Sequence, residues 1–404
     1  MQLTLPRLKK LSAEKAKARS LSAARKLDLG GTYRACDPGE TWARIEPLLP
    51  AFGITRVADV TGLDRIGIPV AMSVRPKARS LSVSQGKGAS RELARISAVM
   101  ESIELFHAEH MCPPEVVASY YNMRRRHPTL DPQTVKPGLR WRAYHARAKI
   151  GWIRGRDLAS GEPIFLPHSI LNLDTTTASP DVGLLAGNSN GLASGNERWE
   201  AICHGLFEVV ERDCDWRWSQ LSPLARQKRL LDNDTIDSPL ARSYLERCAN
   251  AGVSVRIWEI TSNLGIPAYR CIIRDIEAWR PLGADYGAGC HLSKEIALSR
   301  AITEAAQCRL TVIAGARDDI FPVHYEQQQT RWTLDRQPIL KPGKRDYRAR
   351  PGPRLAATFE GDARHTIDRL AGAGYRRVVA VDHTRDDLGV PVVHVVVPGL
   401  QFCK

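Results

Sequence analysis

"GLASGNERWEAICHGLFEVVERD" occupies residues 191–213. It opens on glycines and small polar residues, then becomes an amphipathic run that crowds Glu197, Glu200, Glu208 and Glu211 together. On an α-helix, positions i, i+4 and i+7 share one face. His204, Glu208 and Glu211 therefore form a row, with Glu200 one turn before His204. Like charges at that spacing repel, and burying them unpaired is costly. Yet the chain is rich in cations, with 58 Lys and Arg against 44 Asp and Glu, a formal net charge of +14. Something outside the row must stabilise it.

Two further segments carry a similar row. Residues 91–109 show a helical apolar stripe of Leu93, Ile96, Met100 and Ile103, flanked by Ser97, Glu101 and Glu104. Residues 293–314 place Arg300, Glu304 and Gln307 at the same spacing. Each row alone fits a surface helix, because Glu is a good helix former. Three rows with few basic residues at i+4 instead point to convergence on divalent cations, with carboxylates enough for two or three Mg²⁺ ions. Mg²⁺ takes hard oxygen ligands and usually completes its shell with phosphate oxygens. Arg212, Arg300 and Arg309 are spaced to reach such phosphates. His204 reads as a hydrogen-bonded helix histidine, Cys203 and Cys308 as core residues, and Trp216 and Trp218 as core or dimer packing. Glu197 reads as a capping-box partner of Ser194, and Asp213 as a residue orienting Arg212.

The rest of the chain mixes strands and helices without a βαβ rhythm or a repeat of fixed period, which predicts an α+β fold. Residues 37–54 read as a short helix, and residues 54–76 and 253–275 as strand pairs. Residues 151–170 read as a hairpin, 80–90 as a glycine loop with Ser90 capping the next helix, and 179–196 as a flexible segment. Late strands fall within 376–383 and 390–399, after a basic linker at 335–354. No P-loop is present: "GKGAS" (86–90) has Gly88 where Ser or Thr is needed, and position 81, where the pattern needs its first glycine, is Leu. A Rossmann glycine motif is also missing. "GKG" still offers backbone N–H groups to an anion.

Residues 7–26 are strongly basic, with only Glu14 opposing them, and residues 1–29 read as a mobile arm. The nine cysteines include no C-x-x-C pair, so they read as reduced core residues. Neither a secretory leader nor an apolar run of bilayer length is read, which predicts a cytoplasmic protein without membrane contact.

"SQGKGAS" (84–90), "ARISAVMESIE" (94–104), "SNGLASGNERWEAICHGLFEVVERD" (189–213) and "SRAITEAAQCR" (299–309) resemble, in order, the nucleotide-binding blocks of the YcaO family. "VTGLDRIGIPVAMSVRP" (60–76) is similar to that family's N-terminal signature, and the resemblance spans roughly residues 30–400. It implies a YcaO-type fold of mixed and antiparallel sheets flanked by helices, with an ATP site between helices. One YcaO domain would run over 30–404, with substructures over about 30–176 and 177–404. By position, Glu101, Glu104, Glu208 and Glu211 are implied Mg²⁺ ligands. Ser97, Asn196, Glu200, Arg212, Arg300, Glu304, Gln307 and Arg309 are implied ATP-site residues. Leu105 departs from the pattern, where an Arg commonly follows the second Glu.

The family's chemistry is ATP-dependent O-phosphorylation of a peptide amide. Sulfide as nucleophile gives a thioamide, and a Cys, Ser or Thr side chain gives an azoline. The ending "VVHVVVPGLQFCK" lacks the Pro-rich tail common in azoline-forming members and resembles members that work with a TfuA-like partner. The resemblance thus implies thioamide formation on a ribosomally made peptide or protein, with a homodimer expected and no nucleic acid. Azoline formation, a non-catalytic leader-peptide scaffold and a nucleotide-free carboxylate–metal hydrolase are the alternatives. No catalytic base is assigned.

Overall fold

The computed structural model describes residues 26–135, 144–176, 184–276, 283–323, 342–349 and 352–402. Most of the basic arm lies outside them. Residues 26–29 belong to the folded part: Leu27–Asp28 pairs with Tyr33–Arg34 in a short ribbon, and Lys26 is held 2.5 Å from Asp362. Helix α1 (Pro38–Ile45) follows, with Asp37 capping its first turn.

Strands β1 (Arg56–Asp59), β2 (Val70–Val74) and β3 (Val83–Lys87) form an antiparallel sheet in that order, and α2 (Arg91–Glu109) packs on it. The next elements are β4 (Val116–Ser119), β5 (Lys149–Asp157), β6 (Pro163–Pro167), β7 (Leu192–Ser194) and α3 (Arg198–Ser219). After α4 (Pro239–Asn250), the strands β8 (Val253–Glu259), β9 (Ala268–Asp275) and β10 (Asp285–Cys290) build a second antiparallel three-stranded sheet. It is backed by α5 (Lys294–Ala314). Helix α6 (Phe359–Gly372) and strands β11 (Val379–Asp382) and β12 (Val392–Val396) complete the chain. The six-stranded sheet runs β4-β5-β11-β12-β7, with β6 pairing β5.

The strand–strand–strand–helix unit thus occurs twice, as β1–β3 with α2 and as β8–β10 with α5. Its two copies share little sequence beyond a seam of small residues. A Cβ on Gly86 would lie 2.0 Å from Ala98 N, and one on Gly287 would lie 2.3 Å from Ala305 N. Ala94, Ala98, Ala301 and Ala305 form the helix side of this seam and are fully buried or nearly so. The glycines of residues 80–90 therefore serve close packing of a strand, not the expected loop, and Gly86 and Gly88 both keep negative φ. Likewise "GAGC" (287–290) lies in β10, and β7 falls inside the segment expected to be flexible. Gly86→Ala should cost about 1–3 kcal/mol by overpacking. The check is the midpoint of chemical denaturation; an unchanged midpoint would contradict the seam.

Helix α3 buries Ile202, Leu206, Val209 and Val210 against β12 and β7 on one side and α6 on another. Its polar row is thereby held toward α2 and α5. Among the described residues no helix is long and apolar enough to cross a membrane.

Candidate active site

Helices α2, α3 and α5 bring their polar rows to one cavity of about 410 Å³. Glu101 and Glu104 reach it from α2, Glu200, Glu208 and Glu211 from α3, and Glu304 from α5. Ser97, Asn196, His204, Arg212, Arg300 and Gln307 line it as well. Leu93, Ile96 and Met100 of the α2 stripe form an apolar wall instead of being wholly core.

Arg309 is the exception. It is fully buried away from the cavity, donating to Asp64 at 3.0 Å and to both oxygens of Asp275 at 3.1 and 3.2 Å. It follows Glu304 by five residues, about 140° around the helix at 3.6 residues per turn, and so faces away from the cavity.

Glu101, Glu104, Glu211 and Glu304 are fixed by the strands beside them, whereas Glu208 pairs with Arg212 of its own helix at 3.7 Å. Glu101 accepts from the Gln85 N–H of β3 at 2.8 Å, and Glu104 accepts from the N–H and hydroxyl of Ser194 in β7. Glu211 accepts from the Cys290 N–H of β10 at 3.0 Å. Glu200 accepts from the N–H groups of Ala35 and Asn196 and pairs with Arg34 at 3.3 Å. Glu304 pairs with Lys87 at 2.7 Å across the two units. The Asn196 side-chain oxygen accepts from Thr41 and Arg44, so it is anchored toward α1.

Burial dominates the electrostatics. It pushes the Glu104 carboxyl up to about 8, helped by Glu101 and Glu208. Burial likewise raises Glu208 and Glu211 to about 7, and raises Glu101. Glu304 moves the other way, because Lys87 and Arg212 outweigh its burial. His204 is driven well below its ordinary range by burial and by Arg300, so its imidazole is neutral beside Arg300, 3.5 Å away.

The donor set fits a metal-bound triphosphate. Gln85 Nε2, Arg300 Nε and Gln307 Oε1 are buried without hydrogen-bond partners on side chains that line the cavity. Leaving such atoms unpaired is costly unless a ligand engages them. Among the described residues no three His, Cys, Asp or Glu side chains group closely enough to hold a metal ion alone. An octahedral Mg²⁺ would then draw further oxygens from phosphate and water.

Glu197 is itself the N-cap of α3, accepting from Trp199 and Glu200 N–H, and forms no capping box with Ser194. Asp213 binds Arg217 and the Gln401 N–H, not Arg212. Cys203 is core, its thiol donating to the Phe359 carbonyl, whereas Cys308 is only partly buried. Trp218 packs edge-on to Trp258 in the core, and Trp216 is half-buried. The sequence reading missed Arg34, Thr41, Lys87 and Arg317 as cavity residues. Only Lys87, inside "GKG", carried a local signal.

The model of the family described as YcaO cyclodehydratase, ATP- and Mg²⁺-binding, matches residues 85–401. An uncharacterized protein in the tfuA 3′ region of Rhizobium leguminosarum bv. trifolii is 37% identical over 388 residues, 91% of this chain and 88% of its own. An uncharacterized protein of Methanothermobacter thermautotrophicus is 34% identical over 378 residues, 91% of this chain and 95% of its own. The structure of YcaO from Methanopyrus kandleri bound with AMPPCP and Mg²⁺ superimposes with a TM-score of 0.71 at 26% identity, covering 93% of this chain and 95% of that one. A heterocyclase in complex with substrate and cofactor matches the fold with a TM-score of 0.76 at 19% identity. This chain is covered to 95% in that match and spans about half of the heterocyclase, 54%. With its cavity acids within the family-model span and relatives this similar along most of their length, the chain belongs to the ATP- and Mg²⁺-binding YcaO family.

Proposed function

We propose that the cavity binds Mg²⁺–ATP and that the protein activates a backbone amide in a ribosomally made peptide or protein, giving a thioamide. The observation that carries this reading is the meeting of six glutamates from three helices with Arg212, Arg300 and Lys87 around one cavity. In it, Glu101, Glu104, Glu208 and Glu211 hold Mg²⁺. Ser97, Asn196, Glu200, Arg212, Arg300, Glu304 and Gln307 hold the nucleotide. An amide oxygen leaves poorly, and ATP supplies the phosphoryl group that makes it leave well.

The side chains supply positioning and charge. Arg212 and Arg300 present guanidinium groups to phosphoryl oxygens, and neutral His204 steadies Arg300 as a hydrogen-bond acceptor. Lys87 holds Glu304 ionised. A scaffold that only bound peptide would have no need of these buried acids.

The tfuA-region relative supports the thioamide branch and a TfuA-like partner. The family model's description and the likeness to a heterocyclase favour azoline formation as the second reading. Action as a homodimer belongs to the same proposal. The test incubates the protein, any TfuA-like partner and a candidate peptide encoded nearby with ATP, Mg²⁺ and sulfide. Mass spectrometry should show one oxygen replaced by sulfur, with ADP and phosphate released. Loss of one water would select the azoline branch. Absence of any peptide-dependent ADP release would sink both.

A further inference from the structure

The sheet carrying β4 ends in a cationic face far from any role in the cavity. Arg124, Arg125 and Arg126 are exposed, and among the described residues none of them has a carboxylate partner. Exposed Arg147 and Lys149 lie on the neighbouring chain, where Lys149 sits directly across from Ser119 in the β4–β5 register. The Tyr121 N–H donates to the Ala146 carbonyl, tying the two segments together. Within this face Val117 is 53% exposed and Tyr121 42% exposed. The neighbouring acid Glu115 is already paired with Arg154. Guanidinium groups without carboxylate partners, set around exposed apolar side chains, are the complement of carboxylates interspersed with apolar residues.

We propose that this face docks an acidic, extended peptide segment of a partner, its carboxylates on Arg124–Arg126 and its apolar side chains on Val117 and Tyr121. The site is independent of the reaction assigned to the cavity. A single-stranded nucleic acid would need bare aromatic platforms for its bases. Here Arg124 and Arg125 already sit 5.5 and 5.7 Å from the Tyr121 ring centroid. Peptide side chains need no such stacking face. β4 pairs with β5 alone among the described strands, so it also presents an edge to an extended backbone.

The test is fluorescence anisotropy with a labelled dodecapeptide of alternating Glu and Val. The intact chain should bind it, and added salt should weaken binding. The triple variant R124E/R125E/R126E should weaken it at least about tenfold, the combined effect of three exposed pairs. R124Q/R125Q/R126Q should give a smaller loss. Both variants should keep the melting temperature and Mg²⁺–ATP binding of the parent, which separates this site from the cavity. No binding by the parent, or equal binding by the charge-reversed variant, overturns the proposal. Displacement of the peptide by a uridine dodecanucleotide that binds the same arginines more tightly also overturns it, and makes nucleic acid the occupant.

Discussion

Glu101→Gln and Glu208→Gln should each lower ATP turnover by about 10²–10³-fold while the protein stays folded. That range is typical when one preorganised electrostatic contact to a transferring group is removed. Both side chains line the cavity from different helices, so in the proposed site each is a separate oxygen donor to the metal. Neither holds the fold together, because in the free protein these acids repel one another and are desolvated. Folded Glu208 and Glu211 sit at about 7 and Glu104 at about 8, all above the ordinary value of 4.5. A raised carboxyl favours the protonated folded state. Its stabilisation is complete below about pH 4.5 and is lost as pH rises through the folded values. Above pH 7 the Glu208→Gln variant should therefore melt no lower than the parent when nucleotide is absent. Turnover loss together with a large drop in melting temperature would make Glu208 a structural residue instead.

The second large effect is on stability. Arg309→Met should cost about 3–5 kcal/mol, the usual penalty for breaking a buried ion pair by removing one partner. Asp64 and Asp275 are 8% and 4% exposed, and Asp64 Oδ1 already lacks a hydrogen bond. Asp285, pushed up to about 7 by burial, adjoins the same cluster. Without Arg309 these carboxylates lose their main counter-charge, and Arg65, paired with Asp275, is itself about a third exposed. The triple variant D64N/R309M/D275N should recover much of the loss, because it removes the stranded charges together. Denaturant midpoints of the two variants decide the matter. Equal midpoints would show that Arg309 acts by shape rather than charge.

These two sites show what was legible in the chain. The acid rows were readable because helical periodicity is local: spacing alone puts Glu101 and Glu104, or Glu208 and Glu211, on one face. Ser90 announced the start of α2 in the same way, accepting from the Leu93 N–H. Arg309 was misplaced because two residues from Gln307 is close in sequence but far around a helix. The doubled strand–strand–strand–helix unit was hidden because its signature is a pattern of Gly and Ala across a seam, which looks like loop composition. Arg34 and Thr41 were missed for a different reason. They reach the cavity from the ribbon and α1, and nothing in their own neighbourhood points there.

The most direct test of the cavity assignment is calorimetric titration of the protein with AMPPCP, with and without Mg²⁺, in two buffers of different ionisation enthalpy near pH 7. Binding should require Mg²⁺ and release protons, because in the proposed site Glu104, Glu208 and Glu211 must ionise to meet the metal. Affinity should rise between about pH 6 and 8 for the same reason. Tight binding without Mg²⁺, or Mg²⁺-dependent binding with no proton release, would contradict the assignment.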